Sequence, residues 1–254
     1  MVQRIRFSLG TSLVSLAAFG GAMAVLACSS GSSSTTSGGP GDAAVQPAEE
    51  TGTPTLDSGA PAPTFDPASP TDPIGSADQF TLALALAGFP AGGGKLTAAI
   101  LTEKGSIKCE LAEAAAPISV ANFVGLARGT RPYKAAGKWK AGHFYDGLIW
   151  HRVIPNFVIQ GGDPLGTGTG GPGYDLVKEN QIEEPLGTLA MAASAKVSGS
   201  QFYVVVGKGP AADYNVFGTC ATENAVTIAK VPRDADDLPT VPVHLLKVEI
   251  ARCP

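Results

Sequence analysis

From residue 96 onward, this chain alternates short runs of apolar, largely β-branched or aromatic residues with glycine-containing turns. Such runs are typical of β-strands, and residues 103–105 between the first two runs indicate a hairpin turn. Strands are predicted over residues 96–102, 106–111, 148–160, 187–192, 201–206, 215–220 and 245–251. Residues 116–128 have the apolar spacing of an amphipathic helix, with Pro117 near its start and Gly129 at its end. Many short strands with few helices favour a closed antiparallel barrel capped by helices.

The first 27 residues have the pattern of a secretory signal peptide, in which two arginines precede a long apolar run. The run ends at Cys28, and a cysteine at the cleavage point favours a bacterial lipoprotein lipidated at that residue. Ordinary cleavage and a retained membrane anchor are the alternatives. Each of the three places the domain outside the cytoplasm. By resemblance to known lipoproteins, the serines at 29–30 favour the outer membrane, with the protein on its periplasmic side or at the cell surface.

Residues 28–77 are dominated by Ser, Gly, Thr, Pro and Ala and contain few large apolar residues. Because such a segment cannot bury enough apolar surface to offset its conformational entropy, we predict a flexible tether. A random coil of about 50 residues spans roughly 40 Å, which is enough to hold a domain clear of a membrane. The domain is therefore predicted over residues 78–254, and the alternating leucines in residues 80–89 favour an extra strand at its edge.

The charge of the chain argues against nucleic-acid partners. Removing the signal peptide takes away two of the 18 basic residues and none of the 22 acidic ones, so the net charge becomes 16 − 22 = −6. A mildly acidic chain without basic runs has no footprint for nucleic acid or anionic lipid. The 3 histidines are not grouped, and C-x-x-C spacings are absent. No metal site is expected.

The cysteines leave their pairing open. Three cysteines follow Cys28 in the sequence, and an oxidising compartment permits a disulfide between two of them. Cys109 lies in a strand-like run and fits a buried thiol, whereas Cys220 and Cys253 follow strand-like segments and could pair with each other.

Residues 150–163 place a cation, an aromatic ring and a side-chain amide on a strand-like background. Arg152 requires an explanation, because an arginine is rarely buried unless paired, and its planar fork of donors suits a polar target beside an apolar wall. Pro155 interrupts the run, so a bend there re-aims the side chains that follow. Alternation then turns Phe157 to one side of the strand and Gln160 to the other.

This segment resembles the central signature of the cyclophilin-type peptidyl-prolyl isomerases. Residues 116–123, residues 189–205 and Val216-Phe217-Gly218 also match, in family order, so the resemblance extends from about residue 96 to 250. It implies a mainly β fold: a closed eight-stranded antiparallel β-barrel capped by two α-helices, the second over residues 223–229. It also implies an enzyme that accelerates rotation about X-Pro bonds in proline-containing polypeptides and needs no cofactor.

Rotation about an X-Pro amide is slow because the nitrogen lone pair is delocalised into the carbonyl, which gives a barrier of ~18–20 kcal/mol. By resemblance, Arg152 is expected to donate a hydrogen bond to the prolyl nitrogen in the twisted state, where that lone pair is localised. The resemblance also implies catalytic roles for Phe157 and for Gln160, which would bind the substrate backbone. The substrate-binding residues that it implies are Val158, Ala192, Gln201, Tyr203, Tyr214 and His151, the last as a packed, hydrogen-bonded neighbour rather than an acid or base.

The sequence departs from the family pattern at several of these positions. Val158 stands where methionine is common, Tyr203 where phenylalanine is frequent, and Ala193 where asparagine is usual. Residues 208–213 lack the tryptophan and leucine that often close the proline pocket. We therefore expect reduced isomerase activity and weak affinity for cyclosporin-like ligands.

Residues 166–171 satisfy the pattern G-x-G-x-x-G, but a dinucleotide site needs a helix that opens directly after it. Pro172 and Gly173 follow instead, so we predict a mobile loop that borders the peptide groove.

Two other function classes stay open beside an isomerase of exported proteins. The missing tryptophan and Ala193 favour a non-catalytic chaperone module that grips proline-containing segments, and the long tether is compatible with a structural lipoprotein. Arg152, Phe157 and Gln160, all present, favour the enzyme. The expected partners are proline-containing polypeptides and, through Cys28, a membrane; nucleic acid is not expected, and the chain is expected to be monomeric.

Overall fold

The structure is a computed structural model that describes residues 55–56, 64–211 and 213–253. Cys28 and the predicted signal peptide lie outside the described residues. The described chain is mainly β, as expected. Its strands are β1 (Thr55–Leu56), β2 (Lys95–Thr102), β3 (Gly105–Leu111), β4 (Tyr133–Ala135), β5 (Lys138–Lys140), β6 (Arg152–Val153), β7 (Val158–Gly161), β8 (Asp175–Leu176), β9 (Thr188–Ala193), β10 (Val197–Val205), β11 (Val216–Cys220) and β12 (Leu245–Cys253). Its helices are α1 (Leu82–Ala85), α2 (Pro117–Arg128) and α3 (Glu223–Ala229), with a 3-10 turn at Ala77–Gln79. None of the described helices is long and apolar enough to cross a membrane.

One large antiparallel sheet dominates the fold, in the order β1-β12-β2-β3-β11-β9-β10-β7-β6, with β8 paired to β10. The predicted closed barrel is wrong, because the sheet curls but stays open. Among the described residues, the segment before β6 contacts the β12 side through an isolated bridge between Ile149 and His244 and through backbone hydrogen bonds of Leu245 with Gly147 and Leu148, both at 2.7 Å, and β6 itself does not pair with β12. The single strand predicted over residues 148–160 is broken, since Pro155 has no N–H to donate and Asn156 adopts a positive φ of 60°. The remaining two-residue β6 is too short to close the barrel.

Helix α2 spans Pro117–Arg128, close to the predicted bounds. Pro117 occupies its first turn, and Gly129 ends it in the left-handed conformation with φ 78°. The carboxylate of Glu179 accepts the N–H groups of Ile118 at 2.6 Å and Ser119 at 2.7 Å, so it satisfies two donors at the helix start. The resemblance also predicted α3 correctly, at Glu223–Ala229.

Aromatic rings join α2 to the sheet. The ring of Phe123 lies with its centroid 5.1 Å from Tyr145, 5.4 Å from Phe202 and 5.2 Å from Phe217. All four side chains are fully buried. Because Phe202 faces this core from β10, the next residue on β10 faces the opposite side of the sheet.

The cysteine pairing differs from both expectations. Cys109 on β3 and Cys220 on β11 lie directly opposite each other in the antiparallel register and form a disulfide, with their Cα atoms 3.9 Å apart. A Cys220–Cys253 bond is therefore wrong, and Cys109 is not a free thiol. The reason is the sheet order: β11 pairs with β3, whereas Cys253 ends β12 on the other side of β2.

Residues 80–89 form no strand. They contain the short helix α1, whose start is capped by the hydroxyl of Thr81, which accepts the N–H of Leu84 at 3.4 Å. The carbonyl of Ala85 accepts hydrogen bonds from Arg128 and Thr130. These contacts with α2 and the chain that follows it outweigh the local alternation of leucines.

Part of the predicted tether packs on the domain. Trp139 donates its backbone N–H to the carbonyl of Pro67 and its indole N–H to that of Ser69, both at 3.0 Å. The Asp72 carboxylate pairs with the buried guanidinium of Arg131 at 2.5 Å. Together with the pairing of β1 (Thr55–Leu56) with β12, these contacts with the domain lie before the predicted boundary at 78.

Candidate functional site

The predicted site residues meet on the face of the sheet that points away from α2. Cross-strand pairs place Arg152 of β6 opposite Gln160 of β7, Gln160 opposite Tyr203 of β10, and Tyr203 opposite Ala190 of β9. Directly paired residues of a sheet point to the same face. One row across four strands therefore carries a cation, an amide, an aromatic ring and a small apolar side chain.

An apolar slot lies beside this row. Its members share a small cluster separate from the main core: Phe157, Val158, Ala190, Ala192, Tyr203, Val205, Tyr214 and Val216. The rings of Tyr203 and Tyr214 pack edge to face, with centroids 5.5 Å apart. Phe157 was expected on the side of the strand opposite Gln160, but it lies in the turn before β7, where strand alternation does not apply.

A polar groove continues from the slot. The side-chain amide of Gln160 donates to the side-chain Oε1 of Gln201 at 2.9 Å. Gln201 in turn donates to the backbone carbonyls of Gly168 at 3.0 Å and Gly170 at 2.8 Å. The groove has a volume of about 880 Å³ and runs between the 168–171 loop and residues 192–196. An extended peptide chain therefore has both an apolar slot and a polar channel available on one surface.

The G-x-G-x-x-G segment borders this groove, as expected, and β8 rather than a helix follows it. Its backbone N–H groups point at a protein carboxylate: Asp163 accepts those of Leu165 at 2.8 Å, Thr167 at 3.0 Å and Gly168 at 2.5 Å. Burial alone would raise the pKa of Asp163, but these donors outweigh it and hold the pKa below its usual range. The loop is thus tied to Asp163 and is not built to bind a dinucleotide phosphate.

His151 is buried, and neither ring nitrogen has a hydrogen-bond partner among the described residues. Burial lowers its pKa, so the imidazole is neutral at pH 7. A side chain on Gly168 would begin 3.9 Å from its Nε2, which places the ring beneath the groove loop. This position fits the expected packed neighbour of the site, but the expected hydrogen bond is wrong, because apolar burial leaves both ring nitrogens without a partner among the described residues.

The two tryptophans do not line the slot. Trp150 is fully buried in the main core against Phe202, with ring centroids 5.6 Å apart. Trp139 stacks on Tyr174. Neither replaces the pocket tryptophan missing from residues 208–213.

The motifs did not reveal Glu184, whose side chain lies at the slot. Only 6% of its surface is exposed, and one carboxylate oxygen accepts the Tyr203 hydroxyl at 2.5 Å. The other oxygen has no partner in the part of the chain that the structure describes. Burial raises the pKa of Glu184, and burial together with this carboxylate raises the pKa of Tyr203. A tyrosine in place of the common phenylalanine signals that a buried hydroxyl needs a partner, but not which residue supplies it.

Replacing Glu184 with glutamine should change how stability depends on pH. Because folding raises the pKa of Glu184, its contribution is present in full below the ordinary glutamate pKa of about 4.3 and is lost as the pH rises through the folded value. The wild type should therefore lose stability relative to Glu184→Gln between about pH 4 and pH 7. Urea unfolding at both pH values measures this difference. Glu183→Gln, at the exposed neighbouring position, is the control; a parallel pH dependence in all three proteins would contradict the prediction.

The family described as "Cyclophilin type peptidyl-prolyl cis-trans isomerase/CLD" matches residues 97–250, which is more than half of the chain. The chain belongs to the cyclophilin family. It is 44% identical over 168 residues to peptidyl-prolyl cis-trans isomerase A of Mycobacterium tuberculosis, covering 61% of this chain and 92% of that protein. It is 39% identical over 153 residues to a peptidyl-prolyl cis-trans isomerase of Synechococcus elongatus, covering 58% of this chain and 97% of that protein.

Solved structures agree with this family. A cyclophilin-type isomerase of Cryptosporidium parvum superposes with a TM-score of 0.53 at 28% identity, covering 63% of this chain and 99% of that one. A second structure of that protein, determined in the presence of the dipeptide ala-pro, superposes with a TM-score of 0.52. As a cyclophilin, this chain is a peptidyl-prolyl cis-trans isomerase, and proline-containing peptides are its substrates.

Proposed function

We propose that Arg152 performs the isomerisation step of this cyclophilin on exported proteins in the cell envelope. The observation that supports the role of Arg152 is its position at the end of the row that continues through Gln160 to Tyr203. The side chain is 42% exposed, and its two Nη groups make no hydrogen bond within the described residues. Its donors are therefore available to a peptide in the slot.

Binding precedes catalysis. The proline ring of the substrate enters the slot formed by Phe157, Val158 and Tyr203, which removes apolar surface from water. Gln160 holds the neighbouring backbone, because its amide can both donate to and accept from a peptide group. The X-Pro bond is thereby fixed on both sides while its torsion stays free to turn.

Rotation then localises the lone pair on the prolyl nitrogen. An Nη–H of Arg152 donates a hydrogen bond to that lone pair in the twisted state, where it accepts much better than in the planar amide. No proton is transferred and no covalent bond forms, which agrees with a neutral, buried His151. The bound proline ring displaces water from the slot, and the hydrogen bond is stronger in these less polar surroundings than it would be in solution.

Two observations support action on exported proteins. Residues 1–28 have the pattern of a lipoprotein signal, with Cys28 as the lipid anchor of the cell envelope. The Cys109–Cys220 disulfide is of the kind that persists in oxidising compartments. Alkylation of free thiols in the protein from its own cells tests the proposal. If both Cys109 and Cys220 are found reduced, the domain lies in the cytoplasm.

Exchange of an Ala-Pro peptide between cis and trans tests the role of Arg152. Arg152→Ala should lower the catalysed rate about a hundredfold, the usual loss when one transition-state donor is removed. Lys247→Ala, which removes a positive charge from an exposed position on β12, is the matched control and should keep the wild-type rate. An Arg152→Ala variant as fast as the wild type would refute the assigned role. A wild type no faster than the uncatalysed reaction would instead favour a proline-binding chaperone module.

A further inference from the structure

A short loop of this cyclophilin folds against the strand that carries Arg152. Residues 233–239 form the loop, closed by a bridge between Arg233 and Pro239. Asp234 holds its turn, because one carboxylate oxygen accepts the N–H groups of Asp236 at 2.9 Å and Leu238 at 3.0 Å. The loop is therefore a locally ordered structure with its own polar support.

Asp237 of this loop contacts β6 through both its backbone and its side chain. Its carbonyl accepts the N–H of Val153 at 2.9 Å, beside Arg152 in the chain. One carboxylate oxygen lies 3.9 Å from the Nε of Arg152, and the other accepts the Nε–H of Arg233 at 3.0 Å. The carboxylate thus bridges two guanidinium groups, one of which is the proposed catalytic group.

The backbone of Asp237 is in an unusual conformation, with φ +66°. This left-handed region is uncommon for residues other than glycine, and such outliers concentrate at functional sites. A half-exposed ion pair at 3.9 Å adds little to stability, typically ~0–1 kcal/mol. The hydrogen bond from the Val153 N–H to the Asp237 carbonyl fixes the loop in this conformation, with the carboxylate beside Arg152.

We propose that Asp237 is a positioning residue that orients the guanidinium of Arg152. This inference rests on the proposed role of Arg152. An arginine side chain has many rotamers, and a carboxylate on its Nε edge restricts them. With Asp237 on the Nε edge, the Nη edge is left for the substrate. A group that must donate along one direction to a twisted amide gains from such alignment, since small misplacements reduce rates strongly.

The variant Asp237→Asn tests this positioning role. Asparagine tolerates the left-handed conformation and matches aspartate in size, but it lacks the negative charge. Asp236→Asn removes a charge from the exposed neighbouring position and serves as the matched control. Both variants are made in the full chain and compared with the wild type and with Arg152→Ala by NMR exchange of an Ala-Pro peptide.

We expect Asp237→Asn to lower the exchange rate at saturating peptide about tenfold, while the peptide dissociation constant changes less than about twofold. Asp236→Asn should match the wild type in both quantities. The Nε–H resonance of Arg152, identified by its loss in Arg152→Lys, should shift in Asp237→Asn and stay in place in Asp236→Asn. A merely structural role would change the exchange rate and the dissociation constant together, so the lowered rate at an unchanged dissociation constant distinguishes a positioning role.

Three outcomes would overturn the inference while leaving the proposed function intact, provided that Arg152→Ala is slow: an Asp237→Asn variant with the wild-type rate, an equal loss in Asp236→Asn, or an unmoved Arg152 resonance. An Arg152→Ala variant as fast as the wild type would instead remove the proposed function itself. If Asp237→Asn unfolds, Asp237→Gly replaces it, because glycine adopts the same φ without strain; the same rates and resonance then decide.

Discussion

Replacing both Cys109 and Cys220 with alanine is expected to lower the free energy of unfolding by about 4 kcal/mol. The bond closes a loop with a sequence separation of 111, and cross-links that close long loops restrict the unfolded chain most. It also joins the β2–β3 hairpin to β11, so it links strands far apart in the sequence. Both cysteines are buried, and alanine leaves no polar group without a partner there.

Urea unfolding of the wild type and the double variant, both without reductant, measures this effect. Thr219→Ala, at an exposed position on β11, controls for a general weakening of the strand. A double variant within about 1 kcal/mol of the wild type would contradict the loop-closure argument. A chain made in a reducing cytoplasm without residues 1–28 should unfold like the double variant.

Replacing Asp72 with alanine should lower the free energy of unfolding by about 3 kcal/mol, because it leaves a buried charge without its counter-ion. The Arg131 side chain is fully buried, and its carboxylate partner in the described chain is Asp72, at 2.5 Å. Its Nε and Nη1 have no hydrogen-bond partner there. The guanidinium also lies over the rings of Phe80 at 4.9 Å and Tyr174 at 4.3 Å, contacts that remain after the substitution.

The double variant Asp72→Ala, Arg131→Met separates the stability lost with the ion pair from the stability lost because Arg131 remains buried without a counter-ion. It should be more stable than Asp72→Ala alone, since replacing both partners with apolar groups costs little. Asp66→Ala, in the same segment and at an exposed position, should leave stability nearly unchanged. A domain cut at residue 78 should lose at least as much stability as Asp72→Ala, relative to one that begins at 64, because it also loses the hydrogen bonds of Trp139. Equal stability of these two domains would show that residues 64–77 are dispensable.

Local signals in the sequence predicted most of the secondary structure. The ends of α2 follow from Pro117 and Gly129, whose backbone preferences act within a few residues. The bend after β6 follows from Pro155 for the same reason. The alternating leucines of residues 80–89 misled, because local alternation competes there with hydrogen bonds from α2 to Ala85.

The candidate site likewise contains residues that the sequence predicted and residues that it did not. Arg152, Phe157 and Gln160 lie within nine residues, so a motif could name them, and the structure places Arg152 and Gln160 directly opposite each other. The sequence did not identify Glu184 or Asp237 as site residues, because a single acidic residue outside a motif has no local pattern that indicates a function. Their meaning depends on the buried hydroxyl of Tyr203 and on the guanidinium of Arg152, which other segments supply.

By itself, the sequence determined where most strand-forming runs lie, where α2 begins and ends, the family, and the chemical groups that face a proline-containing substrate. Only the tertiary structure decided that the sheet stays open, that Cys109 bonds to Cys220, and that Asp72 neutralises Arg131. The physical reason is that strand and helix preferences act over a few residues. Pairing and burial depend instead on which distant segments the sheet register brings together.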